Sequence, residues 1–170
     1  MNLPRLATTA DAEAIAALHT LSWQQTYAAI HSARYLHEQL PGEQRQQWQA
    51  RLASPSPGEQ IWLLEEDGRL QGFLSLKPEA EPEWGALLDN LHVHPDFHGQ
   101  GLGYQLFIHA CQWLHQQGKN NLHLWVFAQN RSAIATYQRW GAEHVESLEE
   151  ALPDGRVAEA WRMFWPQLPL

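Results

Sequence analysis

A chain of 170 residues with 44% hydrophobic content has the length of one domain, here 1–170, and can bury a sizeable core. Its formal net charge of -8 excludes the basic face that general nucleic-acid binding needs, and its single cysteine, Cys111, excludes an intrachain disulfide and fits a reducing, cytoplasmic setting. No run of about 18 apolar residues is present, so no membrane partner is expected, and the start, MNLPRLATTADAE, lacks the apolar centre of a secretory signal.

Residues 2–7 read as a short first strand. Thr8, Thr9 and Asp11 then offer caps for a helix over about 11–28, with Ile15, Leu18 and Leu21 at helical spacing. Trp23 and Tyr27 stand four apart on one face of it, either as core packing or as the wall of a pocket. Residues 29–42 read as irregular, broken at Pro41-Gly42, and 43–53 as a short amphipathic helix carrying Trp48 and Leu52. A strand begins at Ile61, turns at Asp67-Gly68 as a two-residue hairpin, and returns over 70–76. Leu70, Gly72, Leu74 and Leu76 alternate there with Gln71, Phe73 and Ser75. Pro78 to Gly85 reads as an acidic loop whose Glu79, Glu81 and Glu83 are either solvated or the lip of a site for a cation.

The chain is organised around residues 86–104. Ala86 to Val93 reads as a strand that Pro95 ends, since proline has no N–H to give to a ladder. His98-Gly99-Gln100-Gly101-Leu102-Gly103 follows, and Tyr104 lies at the start of a helix whose Leu102, Leu106, Ala110, Trp113 and Leu114 face the sheet before Gly118 closes it. Strand, glycine turn and helix start together make an anion site, because the backbone can approach the ligand and the free N–H groups and helix dipole favour phosphate. The P-loop pattern is absent, and so is GxGxxG. His92 and His94 share a strand face and form H-x-H-x-x-x-H with His98, but His98 lies beyond Pro95 in the turn, and no metal is expected. Cys111 has no cationic neighbour in the pattern and reads as structural.

Leu122 to Phe127 is the next strand. Asn130 caps a helix running to about Trp140, with Gly141 as its stop. Asn130 and Tyr137 are seven apart, nearly two turns, so both lie on one face with Ala133 between them. Residues 142–149 and 156–165 are strands joined across Pro153-Asp154-Gly155.

Two of these stretches resemble motifs of the GNAT N-acetyltransferase family. Leu91, Val93, Pro95, Gly101 and Gly103 match its acyl-CoA motif, L-x-V-x-P followed by [QR]-x-x-G-x-[GA], with His98 where the family has Gln or Arg. Asn130, Ala133, Tyr137 and Gly141 match N-x-x-A-x-x-x-Y-x-x-x-G, and Ser22, Trp23 and Tyr27 are similar to a Ser-Trp-x-x-x-Tyr stretch of the first helix. The resemblance implies an α/β (α+β) domain: a mixed, mostly antiparallel sheet of six to seven strands, flanked by four helices and splayed between strands 4 and 5. It implies acetyl-CoA as co-substrate, no metal, and transfer of the acetyl group to a primary amine of a small molecule or peptide by direct attack in a ternary complex.

The residues then take the following roles by resemblance. The backbone of Leu91, His92 and Val93, the loop His98 to Tyr104 and Asn130 hold the cofactor. Tyr137 serves the leaving thiolate, and Trp23 and Tyr27 border the acceptor. A lysine-like amine has a pKa of roughly 10.4, so the site must remove a proton. Eleven residues before His98, where some members carry a Glu, stands Leu87; Asp89 and His92 are the nearby groups that can act instead. A second reading, from another class, is a non-catalytic acyl-CoA-binding sensor or partner module. Leu87 and His98 fit that reading, whereas Tyr137 fits the enzyme. Polyamine, amino acid, antibiotic, protein N-terminus and lysine all stay open as acceptors, and many relatives are homodimers.

Overall fold

The computed structural model describes residues 2–170. Seven strands form one sheet in the order β1 (Arg5–Leu6), β2 (Gln60–Glu66), β3 (Arg69–Glu81), β4 (Gly85–Val93), β5 (Leu122–Phe127), β7 (Val157–Trp165) and β6 (Glu143–Ala151). The helices are α1 (Ala12–Thr26), α2 (Leu40–Ala53), α3 (Leu102–Gln116) and α4 (Arg131–Arg139). β4 and β5 are parallel and every other neighbouring pair is antiparallel, which is the mixed sheet that the motif order implies.

Local chemistry accounts for most of these boundaries. Asp67 and Gly68 both take positive φ, 52° and 75°, the geometry that joins β2 to β3 with the twist of the strands. Asn130 caps α4, its side chain accepting from the Ala133 N–H. Two stretches differ from expectation. Residues 35–39 are a π-helical turn leading straight into α2, and Pro41 lies in the first turn of that helix. The ring fixes a helical φ, and the Leu36 carbonyl in the turn before it accepts from Gln24 Nε2 at 3.0 Å, so the proline is accommodated within a helical run rather than breaking the chain. Residues 78–81, expected as loop, continue β3. Pro78 falls where the β3–β4 register shifts between Lys77 and Glu81, so no ladder bond is asked of it.

The sheet is covered on both faces. Leu106, Phe107, Ala110, Cys111 and Leu114 of α3, with Ile134 of α4, pack on Leu74, Leu76, Leu88, Leu124, Met163 and Trp165. On the opposite face Ile15 and Leu18 of α1 and Trp48 of α2 pack on Ile61, Leu63 and Phe73. Cys111 is fully buried in the first of these cores, which pushes its thiol up to about 12 and makes it an inert packing residue.

The feature that positions the site is the join of β4 to β5. They pair only at Ala86–Leu122 and Leu87–His123, then part. Gly85, at φ 77°, lies at the closed end, where a Cβ would come within 2.0 Å of the Asn121 side chain. From Leu88 onward the β5-facing edge of β4 has no strand partner, and a V-shaped opening runs through the sheet.

Candidate active site

The V opens into a cleft of about 800 Å³ lined from α1, β4, the 97–104 loop, β5 and α4. One end is the glycine turn. Gly99 and Gly101 take φ 78° and 76°, and a Cβ on either would meet no protein atom within 4 Å. The loop is therefore open on the side where a ligand would come close. Gly101 caps α3 in left-handed geometry, and the N–H groups of Leu102, Gly103 and Tyr104 have no preceding turn to bond. A Cβ on Gly103 would meet Val93 at 3.6 Å and Trp140 at 3.8 Å, ordinary contact that sets the helix start beside β4 and α4. Arg139 of α4 also lines the cleft. Gln100 and His98 differ from the rest of the loop. Gln100 is not among the lining residues, and the His98 ring uses Nε2 on the Val93 carbonyl, 2.8 Å away, so it closes the turn and offers a ligand mainly backbone.

The middle of the cleft holds Tyr137 and Asn130. Tyr137 lies with Ala133, Thr136 and Trp140 along one face of α4, its ring 5.8 Å from Trp140 and 6.1 Å from Trp165. Burial, and secondarily the neighbouring Tyr27 phenol, raise its pKa above the ordinary phenol value, so it stays protonated. Asn130 does double duty: its Oδ1 caps α4, while its side chain works against the upward shift that burial imposes on the Tyr27 phenol.

The far end is aromatic and acidic. Trp23 and Tyr27 both line it, and both also pack. Trp23 stacks on His31 at 5.1 Å and meets Tyr27 edge-on at 5.1 Å, and Tyr27 meets Phe127 at 5.3 Å. Packing and lining the cleft are thus not alternatives for these two side chains. Trp125 and Glu150 complete the wall, with the Glu150 carboxyl pushed above its usual range by burial. The acids of residues 79–83 form no part of it. Glu79 pairs with Lys119 at 2.6 Å, and Glu81 pairs at 3.1 Å with Arg162, which lies over the rings of Trp84 and Trp125.

Asp89 is the extra residue of a β-bulge: Ser75 pairs with Asn90 and Leu76 with Leu88, leaving it without a partner on β3. Bulges re-aim side chains beside active sites, and Asp89 lines the cleft. Its carboxylate is engaged by Arg51 of α2 at 3.0 Å and by Lys77 at 3.7 Å, so it enters the site as half of an ion pair. His92, three residues on, also lines the cleft. Burial alone lowers its pKa to about 4, so it stands there as a neutral imidazole. Among the described residues no group of three or more His, Cys, Asp or Glu is placed to hold a metal ion, and no helix is long and apolar enough to cross a membrane.

Arg139, Glu150 and the β5 aromatics were not singled out in the sequence. For α4 a signal was present, since Ala133, Thr136, Tyr137 and Trp140 follow helical spacing on one face. For Glu150 there was none, because β6 carries many acids and only the fold sets this one at the cleft.

The acetyltransferase (GNAT) family model matches residues 15–142, so the chain belongs to that family. It is 28% identical over 160 residues to the uncharacterized N-acetyltransferase YuaI of Bacillus subtilis, covering 93% of this chain and 89% of that protein. It is 38% identical over 81 residues to a mycothiol acetyltransferase of Streptomyces coelicolor, covering 48% of this chain and 26% of that protein. The chain spans less than half the length of that relative and of an uncharacterized N-acetyltransferase of Methanocaldococcus jannaschii. Among solved structures, the PaiA N-acetyltransferase of Thermoplasma acidophilum in complex with coenzyme A has the same fold, with a TM-score of 0.74 at 20% identity over 94% of this chain and 98% of that one.

Proposed function

We propose that the protein transfers an acetyl group from acetyl-CoA to a primary amine of a small molecule or peptide, by direct attack within a ternary complex. The observation that carries this reading is the parting of β4 and β5 after Leu87, because it puts the glycine turn and Tyr137 on one continuous cleft. The turn supplies backbone donors and a helix N-terminus for the pyrophosphate. The unpartnered edge of β4 at Leu91 to Val93 supplies N–H groups for the pantetheine arm and for the oxyanion that forms on attack. The residues present fit the cofactor: the Gly99 and Gly101 positions are empty where phosphate would approach, and Arg139 adds a cation.

Tyr137 donates a hydrogen bond to the departing sulfur. The amine enters from the aromatic and acidic end, where Trp23, Tyr27 and Glu150 suit a positively charged acceptor. The peptide and small-molecule acceptors of the relatives are consistent with this half of the cleft being where members differ: one of these relatives, from Escherichia coli, is a peptidyl-lysine N-acetyltransferase.

Thiol release from acetyl-CoA against a panel of amines, with calorimetric titration of CoA alongside, tests the reading. Turnover with one amine class is the expected result. Tight CoA binding with no turnover on any amine favours a sensor on the same cleft, and no CoA binding overturns both.

A further inference from the structure

Acetyl transfer to an amine releases one proton from nitrogen and returns one to sulfur. Resting on the proposed acetyl transfer, a question follows of which side chain handles that proton. Tyr137 stays protonated, so it can donate a hydrogen bond to sulfur but cannot accept the proton that leaves nitrogen. Asp89 is engaged by Arg51 and Lys77. The wall of the cleft offers one other group at the unpaired part of β4.

That group is His92. The register of β4 sets it opposite Phe73, on the side of the sheet covered by α1 and α2. No hydrogen bond or ion pair to another described residue engages its ring, and burial is the one influence on its titration. It lines the cleft two residues beyond Asn90. Behind it the packing is specific. His19 of α1 lies 4.7 Å from it, centroid to centroid, and Trp48 of α2 donates its indole N–H to His19 Nδ1 at 3.0 Å. His19, only 4% exposed, therefore carries its proton on Nε2 and is fixed as a neutral ring. The titratable group packed against His92 is His19 from α1, and the nearest cation, Arg51 of α2, acts on His19 and not on His92. The guanidinium of Arg51 is divided between Asp89 and Glu59.

We propose that His92 is a catalytic residue, the acceptor of the amine proton and its carrier to the leaving sulfur. The amine nitrogen attacks the thioester carbon, the C–N bond forms, and the carbonyl electron pair moves to oxygen. The nitrogen, now positively charged and more acidic than the free ammonium, gives a proton to the His92 imidazole. The oxyanion collapses, the C–S bond breaks, and the thiolate takes the proton back from the imidazolium through water in the open cleft while Tyr137 hydrogen-bonds the sulfur. Imidazole returns to neutral, and the products are amide and CoA thiol. His19 is a positioning residue in this scheme, since it braces the ring without reaching the cleft.

The test is His92→Ala, with His92→Gln as a second variant that keeps polarity and most of the volume. The expected result for each is a fall in kcat of about 10²-fold or more, with KM for acetyl-CoA within about threefold of the unsubstituted protein. For His92→Ala, imidazole in the assay restores at least about a tenth of the lost rate, and more strongly basic substituted imidazoles restore more. A structural role would not produce that rescue. Either variant turning over within about threefold of the unsubstituted protein overturns the assignment while leaving acetyl transfer standing. A loss that no imidazole restores also overturns it. An unsubstituted protein that acetylates no amine overturns this inference and the proposed function together.

Discussion

A phenol that burial keeps from ionising is a hydrogen-bond donor and not a proton reservoir. Tyr137 is in that position, with its ring wedged toward Trp140 and Trp165 and its pKa raised chiefly by desolvation. What it can offer a departing thiolate is one directed O–H, and donors aimed at developing charge are worth roughly 10- to 10³-fold in rate. Tyr137→Phe keeps the ring packing and removes only that donor. The expected outcome is a kcat lower by about 10- to 100-fold with acetyl-CoA affinity changed less than about twofold, read by steady-state thiol release and calorimetry. An unchanged rate would remove Tyr137 from the chemistry.

At the scale of elements, the loop before α3 and the tie between α2 and β4 make separate demands. Gly101 holds φ 76° where a Cβ would meet no protein atom, so its two properties can be separated by substitution. Gly101→Ala should lower stability by about 1–2 kcal/mol, the strain of a left-handed residue, and leave CoA binding nearly intact. Gly101→Glu should show similar strain and, if the proposed phosphate site is right, weaken CoA by at least about 30-fold, since it puts a carboxylate at that helix N-terminus. Melting curves and calorimetry on the pair distinguish the two effects. The tie is Arg51, which bonds the Glu59 carboxylate at 2.5 Å and Asp89 at 3.0 Å while lying 4.2 Å over the Trp48 ring. The Glu59 side chain is only 1% exposed, so Arg51→Ala leaves a buried carboxylate with no counter-charge. A loss of about 3–5 kcal/mol is expected, measured by denaturant unfolding.

Elements carrying their own chemistry were legible in the sequence: the Asp67-Gly68 turn, the Asn130 cap, and the glycine loop after Pro95. What escaped was set by partners distant in the chain. Pro41 reads as a breaker until the turn before it is seen to be helical. Pro78 reads as loop until β4 is there to show that its place in the ladder is irregular. The Asp89 bulge and its ion pair with Arg51 depend on β3 and α2 together, and no local pattern encodes them. The same holds for His19, whose i, i+4 neighbours say nothing of Trp48 lying against it.

Over the whole molecule the neutral histidines set an acid limit. His19, His31, His92, His109 and His123 all have pKa values lowered, with burial the first cause in each. In the unfolded chain each returns to about 6.5. Between that value and the lower folded one, the unfolded state binds more protons, so stability rises with pH through the window. The contribution is fully present above pH 6.5 and is lost as pH falls toward about 4, the folded value of His92. A shift of that size in a buried ring corresponds to about 3 kcal/mol at most for His92 alone. Asp11, Glu65, Asp96 and Asp154 act in the same direction at lower pH, lowered first by arginine side chains or, for Asp154, by the Arg156 N–H. Their contribution also needs high pH but is lost only below the ordinary carboxylate range, so the histidines act first. The melting temperature should therefore be level from pH 8 to 7 and fall steadily from about pH 6.5 to 4.5, with His92→Gln reducing the slope. A profile flat down to pH 5 would mean that these rings are hydrated and able to charge in place. Acceptor chemistry pulls the same way, because the neutral fraction of an amine grows with pH. Stability and the supply of nucleophile therefore both place the working range of this cleft above the histidine window.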